Sequence, residues 1–229
     1  MLITFSGLDG SGKSSLIAWL RTELERRHRT VAVVHMNDHV GVYAYLRAAR
    51  TLGQRLLGRP VAPPPPPGVP DLRTTRQPRD EQGQPRMRGL ARIRYAIIWN
   101  KPVRRILYLV DVAIFLGYRL YAERLRKRVL IMDRYFYDTL VDVADGRGWT
   151  WAKLLKRLTP TPDVPVLLDV TPEESFARKG EYSIEYLRRR WTGYQTVFPW
   201  VRSSVIVANH DINHTKRILE RAVLERLGS

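Results

Sequence analysis

The chain has 229 residues, 44% apolar and 27% charged, which excludes a disordered or low-complexity protein and leaves room for one sizeable core. It has no cysteine, so a disulfide framework, a thiolate metal site and a cysteine nucleophile are all excluded, and a reducing cytoplasm is the expected compartment. Lys and Arg number 39 against 22 acidic residues, a formal charge of +17 that attracts polyanions of any kind: nucleotides, nucleic acid or an anionic membrane face.

Met1 leads into Leu2–Phe5, a short apolar run of strand type, with no basic region or cleavage site ahead of it, so no signal peptide is expected. Next comes Gly7-Leu8-Asp9-Gly10-Ser11-Gly12-Lys13-Ser14, which fits G-x-x-x-x-G-K-[ST], and a helical pattern runs from Ser15 to His28 with Ile17, Leu20 and Leu24 on one face. Strand, glycine-rich loop and helix in this order are the context a phosphate-binding loop requires. Glycines let successive backbone N–H groups turn inward, and the helix adds the positive end of its dipole. Gly7, Gly10, Ser11, Gly12, Lys13, Ser14 and Ser15 are therefore the expected polyphosphate cradle. Lys13 is expected to reach the β- and γ-phosphates, and the Ser14 hydroxyl to ligate Mg²⁺.

Val31–His35 reads as a second buried strand, with Met36-Asn37-Asp38-His39 at its carboxyl end, where open parallel sheets place ligands. Val40–Leu57 is weakly helical. From Arg59 to Gly89 the composition changes to five consecutive prolines (Pro63–Pro67), further Pro, Gly and Gln, and scattered Arg. That stretch is expected to be a flexible insertion within a single domain of 1–229, with Arg73, Arg76, Arg79, Arg86 and Arg88 mostly solvated. Arg92–Lys127 is helical in pattern, broken or kinked at Pro102. Its most apolar part, Ile106–Tyr118, is interrupted by Asp111 and flanked by arginines, so it reads as a buried helix and not as a membrane span.

Val129–Asp133 is four apolar residues closed by an acid. Trp149–Leu158 is a short helix, Pro165–Val170 a strand, and Thr171-Pro172-Glu173-Glu174 a helix start with its cap, proline and acids. Ile184–Phe198 is a basic amphipathic helix whose Arg188, Arg189 and Arg190 read as a solvated face. Val205–Ala208 is a last strand, and the tail from about Asn213 is helical. Five apolar strands separated by helices imply an α/β fold with a parallel five-stranded sheet covered on both faces.

Phosphoryl transfer also needs a metal-holding acid at the end of a buried strand beside the loop. Asp133 and Asp169 both qualify. Asp133 is preferred because Arg134 follows it at once, setting an acid for Mg²⁺ beside a base for phosphate, while Asp169 reads as a strand-end hydrogen-bonding carboxylate.

The loop motif, Asp133-Arg134-Tyr135, and Pro162-Asp163 leading to Leu168-Asp169-Val170-Thr171-Pro172-Glu173 together resemble the thymidylate kinase family of nucleoside monophosphate kinases. The resemblance covers most of the chain outside roughly 36–125. It implies a P-loop sheet, ATP and Mg²⁺ as donor and cofactor, and transfer of the γ-phosphate to dTMP. It further implies that Asp9 faces the acceptor, that Asp133 and Arg134 handle metal and phosphates, and that Arg178, with Lys179 second, supplies the lid cation ahead of Gly180-Glu181. Asn209 and His210 match the adenine-side loop by position, and a homodimer is implied. Two departures stand out. The Arg-Glu-Pro-Gly type motif after the second strand is replaced by Met36-Asn37-Asp38-His39, and Asp138-Thr139-Leu140-Val141-Asp142 stands near the expected base site. Asp38, Asp138 and Asp142 keep open a kinase of a sugar, nucleoside or other hydroxyl compound. The charge keeps open a basic nucleic-acid-associated NTPase, against which stands the lack of an RNA- or DNA-binding motif.

Overall fold

Six consecutive buried residues, Leu2–Gly7, form the central strand β1, because a strand covered by helices on both faces has no solvent side on which to alternate polar residues. The computed structural model describes residues 1–36, 101–143, 149–180, 182–208 and 211–228. Contacts divide the chain into two compact units: 1–44 with 109–229, and 45–108, of which the described part is helical from 101. The expected helix over 40–57, the insertion over 59–89, and Asn37, Asp38 and His39 lie outside the described residues.

In chain order the elements are β1, α1 (Lys13–Arg26), β2 (Val31–His35), α2 (Lys101–Leu120), a π turn (Tyr121–Leu125), β3 (Val129–Asp133), α3 (Phe136–Val143), α4 (Trp149–Leu158), β4 (Val164–Asp169), α5 (Pro172–Lys179), α6 (Ile184–Val197), a 3₁₀ turn (Phe198–Trp200), β5 (Val205–Ala208) and α7 (Ile212–Gly228). The sheet is α/β in class, all parallel, in the order β2-β3-β1-β4-β5. Since the chain crosses from β3 on one side of β1 to β4 on the other, the order reverses at β1. In open parallel sheets ligands bind at such a reversal, outside the carboxyl ends of the strands.

One face of the sheet packs against α1 and α7: Leu16, Ile17, Leu20 and Leu24 meet Ile3, Phe5, Ile131, Val166 and Leu168, with Leu219 and Val223 completing the cluster. Each such side chain contributes roughly 1.5–3 kcal/mol by leaving water. Elsewhere in the first unit an aromatic train, Phe115, Tyr135, Phe136, Tyr137 and Phe198, is joined edge to face at centroid distances of 5.0–5.7 Å. Helix α3, which carries Phe136 and Tyr137, was not expected from the sequence. It packs on α6 where a Cβ on Gly193 would lie 2.5 Å from Val141 Cγ1, so only glycine permits that approach.

The register of β1 and β4 is set by Asp163: Leu2 N–H donates to its carboxylate (2.6 Å) while Asp163 N–H donates to Leu2 O (2.9 Å). Pro165 lies inside β4, paired with Thr4 of β1. The expected burial of the helix over 106–118 is corrected. Val112 and Phe115 are buried, but Leu109, Val110 and Leu116 face outward.

Candidate active site

Strand β1 ends in a loop shaped by glycine. Gly7, Gly10 and Gly12 have φ of +138°, +84° and +91°. A Cβ on Gly7 would stand 2.6 Å from Leu168 O, and one on Gly10 would stand 3.2 Å from Ser175 O, so a side chain at either would push the loop off its neighbours. Helix α1 starts at Lys13, two residues earlier than expected, which brings its first turn directly under the loop.

The Lys13 ammonium lies along the inside of this loop, donating to Gly7 O (2.9 Å), Leu8 O (2.6 Å) and Ser11 Oγ (3.3 Å). Burial, and then the repulsion of Arg134, push its pKa down to about 8 against the pull of Asp9, Asp133 and Asp138. Ser14 and Ser15 are exposed at the start of α1. Asp9, within the loop, is ion-paired with Arg134. Burial raises the Asp9 pKa, but Arg134 and Lys13 outweigh it and hold the carboxyl below its ordinary value. Arg134 itself has φ +60°, a left-handed conformation uncommon outside glycine, and its N–H donates to Phe5 O (2.9 Å). That backbone twist turns the guanidinium back toward the loop at the strand end.

Asp133 closes β3 in register with Phe5 on one side and His35 on the other. Its Oδ2 lies 3.3 Å from His35 Nδ1, while Oδ1 is buried and has no hydrogen-bond partner among the described residues. A buried carboxylate oxygen without a donor suits a cation. Mg²⁺ commonly takes one or two protein oxygens and completes its shell with water and phosphate, so Asp133 and the Ser14 hydroxyl form a fitting donor set. Among the described residues no group of three His, Cys, Asp or Glu is gathered.

Helix α5 is fastened to the loop. Ser175, buried, donates to Asp9 O (2.5 Å), and Arg178 donates to Gly10 O (3.4 Å), with Ser175, Arg178 and Lys179 lining the side that Gly10 faces. Thr171 caps α5 through a full capping box with Glu174. Arg178 thus stands at the loop. Glu181, Asn209 and His210 lie outside the described residues.

Beneath the loop is a polar network the sequence did not announce. Asp138 is buried and accepts from Ser6 Oγ (2.7 Å), Tyr135 N–H (3.0 Å) and Tyr194 OH (2.6 Å). Arg190 is corrected from a solvated residue to a buried one. It forks to Asp142 (2.5 Å), Tyr186 OH (3.1 Å) and Tyr194 OH (3.0 Å), 3.9 Å from Asp138. The signal was present as i, i+4 spacing: Tyr186, Arg190 and Tyr194 share one helix face. Arg188 is exposed and pairs with Glu173. Asp169 accepts from Trp191 Nε1 (2.8 Å) and Gln195 Nε2 (2.9 Å), the strand-end role read for it.

No protein-family model matches the chain, and no curated protein matches it.

Proposed function

We propose that the chain is an ATP- and Mg²⁺-dependent phosphotransferase on a P-loop fold, resembling thymidylate kinase, with dTMP as the acceptor to test first. The observation that carries this reading is the loop Gly7–Ser14 with the Lys13 ammonium inside it, set one strand away from the unpartnered carboxylate oxygen of Asp133. In-line attack by an acceptor oxygen on the γ-phosphate calls for positioning and charge and for no covalent enzyme intermediate. Lys13 and the loop amides hold the phosphates, Arg134 and Arg178 supply cations on either side of the loop, and Asp9 stands where the acceptor would meet it. Mg²⁺, when bound through Asp133 and Ser14, supplies charge neutralisation of the phosphate oxygens.

Two of the carboxylates that pointed to a hydroxyl acceptor are engaged within the protein: Asp138 by Ser6, Tyr135 and Tyr194, and Asp142 by Arg190. This favours a monophosphate over that alternative. The test has two stages. Calorimetry with ATP and Mg²⁺ should register heat and thermal protection, and silence there would end the phosphotransferase reading. Incubation with ATP, Mg²⁺ and dTMP should yield dTDP, and its failure alone would remove the named acceptor while an acceptor screen decided the rest.

A further inference from the structure

On the phosphotransferase reading, on which this inference rests, we propose that His35 is a positioning residue for Asp133. Its imidazole holds one carboxylate oxygen so that the other is presented to the divalent cation. His35 belongs to no part of the loop motif and reaches the site from the far side of the sheet.

Strand β2 lies at the edge of the sheet, and its register with β3 sets His35 directly across from Asp133. Asp133 is in turn across from Phe5, so the histidine, the acid and the strand that feeds the loop form one row at the carboxyl edge. Within that row the two oxygens of Asp133 are treated differently. Oδ2 stands 3.3 Å from His35 Nδ1, while Oδ1 is buried and meets no donor among the described residues. The residue after His35 is held as well: Met36 is buried, and Thr139 Oγ1 of α3 lies 3.9 Å from its sulfur. The imidazole is therefore carried on a strand end fixed by the ladder with β3 on one side and by Met36 on the other.

A carboxylate that turns freely offers a cation two equivalent oxygens and gives up that freedom on binding, which weakens the binding. One whose second oxygen is engaged is already oriented, and groups that hold a metal ligand in this way commonly set affinity by a factor of about 10–100. Imidazole suits the task at this place. It can offer a proton from Nδ1 without carrying charge, whereas lysine or arginine would set a positive charge beside the arriving cation. The exposures show which partner depends on the contact. The His35 side chain is 43% exposed and has water within reach, whereas that of Asp133 is 10% exposed and must find its partners within the protein or in a bound ion.

The experiment is calorimetry of ATP binding to the full chain, once with saturating Mg²⁺ and once in EDTA, for wild type, His35→Val and His35→Asn. Valine continues the apolar strand and removes the ring nitrogen, and the asparagine Nδ2 can stand where Nδ1 stands. All three proteins should melt alike without ligand, since the position is partly exposed. His35→Val is expected to raise the Kd for ATP with Mg²⁺ by about tenfold or more, and His35→Asn to return it to within about threefold of wild type. The Kd in EDTA should not move in either variant, a split that a merely structural role would not produce. Mn²⁺ bound together with ATP, counted by electron paramagnetic resonance in the cold, makes the same comparison whatever the melting temperatures. If His35→Val binds ATP with Mg²⁺ as wild type does, or loses as much affinity in EDTA, His35 does not position the metal ligand, while the phosphotransferase reading stands. An equal loss in His35→Asn and His35→Val would overturn the proposal too, since the nitrogen would then count for nothing. Wild type that binds ATP neither with Mg²⁺ nor without it ends the phosphotransferase reading, and the role of His35 falls with it.

Discussion

Replacing Arg190 by methionine keeps the length of the side chain and removes its charge from the network under the loop. Lost with it are the 2.5 Å ion pair with Asp142, the bonds to the hydroxyls of Tyr186 and Tyr194 at 3.1 and 3.0 Å, and the contacts with both tyrosine rings. What is left behind sets the size of the effect. The Asp142 side chain is about a third exposed and can rehydrate, so its share is small. Asp138 is 6% exposed at its side chain and retains its three donors, but loses the cation 3.9 Å away. Breaking a fully buried pair costs about 3–5 kcal/mol, and the rehydration of Asp142 brings the expected loss to about 2–4 kcal/mol. For a chain of this length that is a fall in melting temperature on the order of 10 °C. Thermal unfolding followed by circular dichroism reads it directly, with Arg188→Met, on the exposed side of the same helix, as a control whose midpoint should stay near that of wild type. If Arg190→Met melts within about 2 °C of wild type, the guanidinium is solvated in solution and the network is not holding α6 to the loop.

Arg178→Ala should lower kcat by about two to three orders of magnitude and change the KM for ATP far less, because a cation that acts on the transferring phosphoryl group is felt in the transition state; steady-state kinetics separate the two. Gly10→Ala forces a Cβ into a backbone at φ +84° and to 3.2 Å from Ser175 O, so a loss of about 1–3 kcal/mol is expected, seen as a lower melting temperature and weaker nucleotide binding by calorimetry. The Lys13 pKa is lower in the folded chain (about 8) than in the unfolded one (10.5), so the unfolded chain holds more protons between those values and stability from this group rises with pH across that window. Melting temperatures measured from pH 7 to about 10.5 should therefore climb in wild type relative to Lys13→Met, and parallel curves would contradict the burial of the charged amine. Asp133→Asn should leave the metal-free protein as stable as wild type or more so while abolishing the thermal protection that ATP gives with Mg²⁺; an undiminished protection would remove Asp133 from the metal site.

The parts of this fold legible in sequence were those where local chemistry and tertiary role coincide. Val31–His35, Trp149–Leu158 and Val205–Ala208 were read with their observed bounds, since each is a short apolar or amphipathic run with breakers on both sides. Thr171-Pro172-Glu173-Glu174 announced the start of α5 because a capping box is local by construction. Helix α3 went unread for the opposite reason. Tyr135-Phe136-Tyr137 has strand-type propensity, and only the aromatic train reaching from Phe115 to Phe198 makes those residues begin a helix. Arg190 shows the same limit in the site. Among three consecutive arginines the i, i+4 tyrosines single out Arg190, but that its face is buried follows only from Asp138 and Asp142, which are distant in sequence. Ser175 was unreadable because its partner is a main-chain oxygen of the loop, which no side-chain pattern encodes. His35 was read as the end of a strand, and only the pairing of β2 with β3 brings it to Asp133.

The acids at the carboxyl edge of the sheet and the start of α3 fall into two kinds, and the difference bears on function more directly than any motif does. Asp138 and Asp169 are satisfied from several directions, and each ties α6 to the strand ends: Asp138 through Tyr194, Asp169 through Trp191 and Gln195. A carboxylate used in this way is a structural joint, and leaving any of its donors out would cost about 1–3 kcal/mol. Asp133 is built otherwise. It lies as deep as Asp138, yet one oxygen meets no donor among the described residues, while the other stands 3.3 Å from His35 Nδ1. A fold able to surround Asp138 with a serine, a main-chain amide and a tyrosine could have done the same for Asp133 if stability were the only requirement. An oxygen that meets no donor among the described residues, one strand from a loop whose lysine ammonium is turned inward, is what a site needs if a cation is to arrive together with a polyphosphate and leave with it.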